Sequence, residues 1–425
     1  MKKKAYIIRL SVACIVFIMC VLALFGFYLI PFLNLEFVPV IRRFFVDFSL
    51  ISAIFLIFSI VMTIIFGRIY CSVLCPFGIL QEIFSLIYLK FKKVNTTSKI
   101  FRYRYLLTAL VFGCLAGGSA FLIRYIDPYS IFASFLSFRI YAVVFAILIL
   151  VLVFFKNRFF CSNICPVGTV LGLISKISIF KNYMNSDCGS CGNCYRNCPT
   201  GCIDYKNKQV DNSTCVKCLK CLNVCPRGAM NIGVKPKEQL KFNYTRRIAV
   251  WNLSAVALFC AAYAMGVKFS KDAAQKFKNV ILPAGAKDAS RMINMCLNCN
   301  LCVQNCPNGI LTKANEDFPC VHIDYNNGNK HCGYNCTRCS EVCPSGAIKK
   351  LDIKEKQQTK IASCKINDNC MGCRACVARC PKKAIEFVDY KAVIDETKCI
   401  GCGLCKNICP AGAITIKPID EQFVI

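Results

Sequence analysis

The sequence predicts an α-helical transmembrane bundle, four spans and a fifth, joined to small cysteine-rich α+β modules. Three observations carry this. Several apolar runs reach or approach the roughly 20 residues needed to cross a bilayer. Cysteine makes up 35 of the 425 residues, about one in twelve. Most of those cysteines repeat a single spacing, C-x-x-C-x-x-C-x-x-x-C-P. Hydrophobic residues are 56% of the chain and mean hydropathy is +0.48, high for a soluble protein.

The apolar runs cover 5–30, 48–66, 105–123 and 140–155, and a later one covers 248–267. The first follows Met-Lys-Lys-Lys, is long and lacks a small-residue cleavage site, which favours an anchor over a cleaved signal peptide. Loop charges orient the bundle. The 79–104 segment carries Lys90, Lys92, Lys93, Lys99, Arg102 and Arg104 against Glu82. Lys156, Arg158, Lys176 and Lys181 follow the fourth run. Loops 31–47 and 124–139 are nearly charge-balanced. A multi-pass protein of a bacterial inner (plasma) membrane is expected. Its N-terminus and the segment after residue 155 would be cytoplasmic, and the modules beyond the fifth run periplasmic.

The expected domains are a four-span membrane domain (1–180), a first module (181–240), a fifth span or uncleaved anchor (246–268), a second module (285–350) and a third (360–425). A buried soluble helix is the alternative for 248–267.

Six cysteine runs build the modules. Three thiolates two residues apart can wrap three irons of a 4Fe-4S core, and the fourth, before Pro, reaches a neighbouring core. Adjacent runs therefore exchange one ligand each. The first module expects one cluster on Cys188, Cys191, Cys194 and Cys225 and another on Cys215, Cys218, Cys221 and Cys198. The second expects Cys296, Cys299, Cys302 with Cys343, and Cys332, Cys336, Cys339 with Cys306. The third expects Cys370, Cys373, Cys376 with Cys409, and Cys399, Cys402, Cys405 with Cys380. The fourth run is irregular, with one extra residue in its first gap. Structural zinc uses C-x-x-C pairs with a long spacer and does not fit. The odd cysteine count and one repeated tight spacing exclude a disulfide framework. Cys202, Cys320 and Cys364 read as spare thiols. Cys14, Cys20, Cys114 and Cys260 read as small core residues within apolar runs. A Gly turn and an apolar residue follow most C-P pairs, which suits the hairpin-and-helix unit of bacterial two-cluster ferredoxins.

Cys71 with Cys75, and Cys161 with Cys165, lie in a duplicated C-x-x-x-C-P-x-G motif. The duplication predicts that the four thiols converge on one further metal centre. The alternative is that the Pro-Gly turns only end the helices.

Formal charge is +30. Six clusters of about −2 each would leave about +18. The basic residues flank apolar runs, so membrane lipid is the expected partner and nucleic acid is not. His322 and His331 are the two histidines and neither lies in an apolar run. That excludes a membrane haem held by two histidines. No C-x-x-C-H, flavin fingerprint, dinucleotide loop or catalytic triad occurs.

Residues 1–230 resemble the NapH-type membrane ferredoxins through the four runs, both C-x-x-x-C-P-x-G motifs and the first module. Residues 245–425 resemble the NapG/MauM-type ferredoxins through Arg246-Arg247 before an apolar stretch, Leu282-Pro283-Ala284-Gly285-Ala286 and the four later cysteine runs. Thr245-Arg246-Arg247-Ile248-Ala249-Val250 departs from the twin-arginine export pattern in lacking Phe-Leu. The resemblance implies quinol oxidation in the membrane, with electrons delivered to a periplasmic reductase or cytochrome. Asp127, before Pro128, is the first candidate for the quinol base and Glu36 the second. The rival implication is a copper-ion reductase or redox assembly factor for a respiratory enzyme, with metal at Cys71, Cys75, Cys161 and Cys165.

Overall fold

A computed structural model describes residues 2–25, 36–47, 50–89, 103–119, 121–136, 140–155, 157–234, 246–277, 279–314, 318–326 and 330–424. Loop cations Lys90, Lys92, Lys93, Lys99, Arg102 and Lys156, and residue 245, lie outside these. The chain divides into two units, residues 1–117 with 122–266, and residues 118–121 with 267–425.

In the first unit, helix Lys2–Leu24 has 23 residues. At 1.5 Å per residue it covers about 34 Å, enough for a hydrocarbon core of about 30 Å. The second long apolar helix, Arg246–Lys276, contributes a 24-residue stretch, Val250–Ala273, that also meets the requirement. Its Val250, Leu253, Val256 and Met265 are exposed. Among the described residues these two suffice as single helices, and they indicate membrane association. A third crossing exists if Pro128–Leu136 and Ile140–Val153, bent by 117°, count as one.

The count of four spans and a fifth is therefore not reached by single helices. Helix Leu50–Phe66 has 17 residues, about 26 Å. The 105–123 run breaks: helix Tyr103–Ala116 ends at Gly117-Gly118, where Gly118 takes φ +84°, and helix Phe121–Ile126 follows. Small residues let two helices of this unit meet. A Cβ on Gly113 would lie 2.6 Å from the Phe259 carbonyl oxygen and 2.8 Å from the Ala262 Cβ. One on Gly266 would lie 2.6 Å from the Cys114 carbonyl oxygen. This is the close approach that small residues permit in membranes.

The duplicated motif folds twice the same way. Short helices Tyr70–Val73 and Phe159–Asn163 hold the first cysteine of each pair, and helices Pro76–Leu89 and Pro166–Ser175 start after the second, with Pro at the first turn. The motif glycine has a steric cause. A Cβ at Gly78 would sit 2.5 Å from the Cys71 carbonyl oxygen, and one at Gly168 2.7 Å from that of Cys161.

The modules share one plan. In the first unit, strand Phe180–Met184 pairs antiparallel with Met230–Val234, and Ile203–Asp204 with Gln209–Val210. In the second unit, Ser363–Ile366 pairs with Ile414–Lys417 and Ile385–Val388 with Lys391–Ile394, while Leu311–Thr312 pairs with His322–Ile323. A short helix carries the third cysteine of each run. The residue after the second cysteine is left-handed in five runs: Gly192, Leu219, Asn300, Arg374 and Gly403. A left-handed Leu or Arg costs on the order of 1 kcal/mol, so the loop is held by what it encloses. The fourth run departs here too, with Thr337 at φ −115°.

Candidate iron-sulfur sites

The cavities of the modules are lined by the ligand sets that the spacing predicts, exchange included. One of ≈ 530 Å³ is lined by Cys188, Cys191, Cys194 and Cys225. Another, ≈ 310 Å³, is lined by Cys198, Cys215, Cys218 and Cys221. In the second unit, one of ≈ 370 Å³ gathers Cys306, Cys332, Cys336 and Cys339, and one of the same volume gathers Cys380, Cys399, Cys402 and Cys405. Cys299 and Cys302 lie within electrostatic range of Cys296 and Cys343. Cys370, Cys376 and Cys409 share one small core, with Cys373 within electrostatic range of Cys376.

These sites fit an iron-sulfur core. Burial, then the neighbouring thiolates, pushes Cys299 and Cys339 up to about 12. Thiolates so placed need the positive charge of a metal core to persist. Among the described residues, no three His, Cys, Asp or Glu side chains close around a single ion. The lining suits a larger core.

Two thiols read as spare are not remote. Cys202 also lines the second cavity, its Sγ 3.5 Å from that of Cys198. Cys364 lines the cavity of the sixth run and is within hydrogen-bonding reach of Cys399 and Cys405. Asn182 occupies the position equivalent to Cys364, six residues before its run, and its Nδ2 donates to Cys215 Sγ at 3.4 Å. Cys320 is buried and donates to the Met292 carbonyl. Cys260 corrects the core reading: it is exposed, on the outward side of helix Arg246–Lys276.

Cys71, Cys75, Cys161 and Cys165 are each no more than 5% exposed and lie within electrostatic range of one another. The duplication does bring both pairs together. Gly168 N donates to Cys165 Sγ at 3.3 Å, and Arg68 Nη2 lies 3.9 Å from Cys71 Sγ.

A buried charge cluster joins these four thiols to the first module. Glu82 accepts from Arg9 Nη1 and Nη2, both at 2.7 Å, and from Arg158 Nη2 at 2.6 Å, with Lys220 Nζ at 3.9 Å. Arg9 also donates to the carbonyls of Ser72 (3.1 Å) and Cys218 (3.0 Å), and Arg158 to that of Cys71 (3.1 Å). Arg68 bridges the Cys161 carbonyl (3.0 Å) and the Ser213 carbonyl (3.2 Å). Burial opposes ionisation of Glu82, but Arg158, Arg9 and Lys220 outweigh it and hold the carboxyl at about 2. Sequence reasoning missed this cluster. It counted Glu82, Arg104 and Arg158 as loop charges, whereas all three are buried.

On another side of the four thiols, Glu36 is buried. Tyr70, next to Cys71, donates a short hydrogen bond to Glu36 Oε2, and Cys20 Sγ donates to Oε1 at 3.6 Å. Glu36 is within electrostatic range of Cys75 and Asp127. Asp127 caps helix Pro128–Leu136: its Oδ2 accepts from Ser130 N at 2.8 Å and Ser130 Oγ at 3.0 Å. Its Oδ1 is buried without a hydrogen-bond partner among the described residues.

Comparison with known proteins finds iron-sulfur domain models over these segments. The family model of a 4Fe-4S binding domain matches residues 48–94 and 138–182, the two segments holding the C-x-x-x-C-P pairs. Two models of a 4Fe-4S dicluster domain match 187–229, 331–384 and 369–413, and 211–310. An uncharacterized protein of Methanocaldococcus jannaschii is 33% identical over 187 residues, 41% of this chain and 66% of its own length. The methylamine utilization ferredoxin-type protein MauN of Paracoccus denitrificans is 31% identical over 146 residues, 31% of this chain and 48% of its own. YccM of Escherichia coli, whose name assigns it to electron transport, is 25% identical over 164 residues, 35% of this chain and 46% of its own. The chain thus spans about half to two thirds of these relatives. The chain carries ferredoxin-type 4Fe-4S domains, with several candidate iron-sulfur sites.

Proposed function

We propose that this chain takes electrons from a membrane quinol and passes them to a periplasmic reductase or cytochrome, as a natural fusion of NapH-type and NapG/MauM-type ferredoxins. In this reading Cys71, Cys75, Cys161 and Cys165 hold a seventh centre, beside the six of the modules. The observation that carries the reading is the succession within the first unit: Glu36 with Tyr70, then the four thiols, then the Arg9–Glu82–Arg158 cluster, then Cys218. When bound, the clusters supply one-electron carriers that need no large rearrangement.

The chain's own residues do the rest. Glu36 accepts the proton released on quinol oxidation, and Asp127 serves as a second acceptor. Arg9 and Arg158 fix the loop of the four thiols against that of Cys218 through shared carbonyl contacts. The buried cations also favour an anionic seventh centre. Arg9, Arg158 and Lys220 share one carboxylate, Glu82, while Arg68 donates to the Cys161 and Ser213 carbonyls beside Cys71 Sγ, and an unpaired buried charge costs several kcal/mol. A core on four thiolates, at about −2, supplies the missing counter-charge.

The proposed topology keeps the N-terminus and first module cytoplasmic. Helix Val250–Ala273 is the crossing that takes later residues to the periplasm of a bacterial inner membrane. The test is anaerobic purification into lipid discs, iron and copper counted per chain, and cluster reduction followed after adding a quinol. About 28 irons would support seven centres, and about 24 would limit the chain to the modules. Absence of reduction by quinol, or copper in place of iron at the four thiols, would favour the metal-reductase reading instead.

A further inference from the structure

The geometry points to Lys356 as the residue that raises the reduction potential of the fourth cluster and makes it the electron-collecting site of the second unit. The inference rests on reading Cys306, Cys332, Cys336 and Cys339 as cluster ligands. Lys356 is 1% exposed, and its Nζ lies 3.3 Å from Cys332 Sγ. Among the described residues no carboxylate pairs with it. A buried ammonium without a carboxylate is stable only against another source of negative charge, and the sulfur it faces belongs to that source.

The surrounding chain is built to hold it there. Helix Ile353–Gln358 opens on a capping box of Asp352 and Glu355. Gln357 Nε2 donates to Asn335 Oδ1 at 2.8 Å. Asn335 lies in the lengthened first gap of the fourth run, so the irregular spacing has a structural use. The longer loop docks on the helix that presents the lysine.

Three other ligand sulfurs of this unit take neutral donors. Backbone N–H groups of Asn298, Ala384 and Ala413 reach Cys296, Cys380 and Cys409 at 3.3–3.4 Å. A charged donor is about twice as strong as a neutral one. Reduction adds a negative charge to the core, so an adjacent ammonium stabilises the reduced form more than the oxidised form. The position matters as well. Cys332 N donates to the Cys402 carbonyl at 2.9 Å, so the fourth and sixth ligand loops touch. Lys356 thus acts where the second and third modules meet.

The test is a potentiometric titration of the full chain, followed by electron paramagnetic resonance. Lys356→Met should lower one midpoint by at least tenfold in the reduction equilibrium, ~59 mV for one electron. The other midpoints and the iron content should hold. Lys356→Arg, which keeps the charge, should retain most of the wild-type value. An independent readout uses wild-type protein carrying nitrogen-15 lysine. Pulsed resonance should detect a lysine nitrogen coupled to one reduced cluster, and this decides the matter even if Lys356→Met fails to assemble. Unchanged midpoints at full iron content, or no lysine coupling, would overturn the proposal. Failure of the ligand reading is seen separately: Cys332→Ser would then leave iron content unchanged.

Discussion

Replacing Glu82 with Gln should destabilise the first unit by about 3 kcal/mol. The carboxylate holds two guanidinium groups at 2.6–2.7 Å and faces Lys220, all of them buried. Its carboxyl is held at about 2, some two units or more below the usual value of about 4.3. At about 1.4 kcal/mol per unit, that is about 3 kcal/mol. A separate route gives a similar figure, since breaking a buried ion pair costs about 3–5 kcal/mol. For a unit of this size the unfolding midpoint should fall by roughly 6–12 °C. The sign follows from the depressed value. The contribution is complete above about pH 4.5 and is lost only as pH falls towards about 2. The gap between wild type and Glu82→Gln should therefore be constant from pH 5 to pH 8. The assay is thermal unfolding of the full chain in detergent, followed by loss of visible cluster absorbance. A variant as stable as wild type at pH 7, or a gap that changes across this window, would refute the reasoning.

Replacing Cys71 and Cys161 together with Ser should remove about four irons per chain and the matching signal, while the module signals persist; unchanged iron would leave the C-x-x-x-C-P pairs as helix ends only. Glu36→Gln should slow cluster reduction by quinol by tenfold or more at unchanged iron content, and Asp127→Asn should do so less, because its Oδ2 is already engaged by Ser130. Wild-type rates in both variants would remove the carboxylates from the proposed chemistry. Gly78→Ala would put a methyl group 2.5 Å from the Cys71 carbonyl oxygen, so a loss of about 1–3 kcal/mol and of iron at the four thiols is expected in the same thermal and iron assays.

The grouping of the cysteines was legible because its geometry is local. Two- and three-residue gaps fix which sulfurs can share a core, and the Pro after the last cysteine marks the one that leaves it. The cavities at Cys225, Cys198, Cys306 and Cys380 carry that exchange. The convergence of Cys71, Cys75, Cys161 and Cys165 was legible from duplication. Charge was harder. Arg9 and Glu82 are 73 residues apart and Glu82 and Arg158 are 76 apart, so nothing local marks them as partners. A basic residue at the end of an apolar run looks the same whether it faces headgroups or a buried carboxylate. Span counting met the same limit. Hydropathy sees the apolar character of 105–123 but not the break after Ala116 at Gly117-Gly118. Likewise Cys202 and Cys364 sit one contact from the ligands, a distance that spacing alone cannot register.

The module cores explain why ligand and fold were read together. In the first module one buried cluster gathers Cys194, Cys198, Cys202, Cys215 and Cys221 with Ile203, Leu222 and Met230. In the third one gathers Cys376 and Cys405 with Ile385, Ala392 and Ile414. Strands of two to five residues and helices of four or five surround them. Elements that short cannot bury enough apolar area to offset chain entropy, which costs about 1–2 kcal/mol per residue. Metal binding must then supply folding free energy, as it does in other small metal-centred domains. The same logic orders the second unit. Cys302 lies within electrostatic range of Cys339, Cys332 touches the Cys402 loop, and Cys405 lies within electrostatic range of Cys376. The contacts that stabilise one ligand loop against the next therefore also set the sequence of neighbouring redox sites: third, fourth, sixth, fifth. Under the proposed function, electron transfer and stability depend on the same few contacts, and a substitution at any of them should affect both.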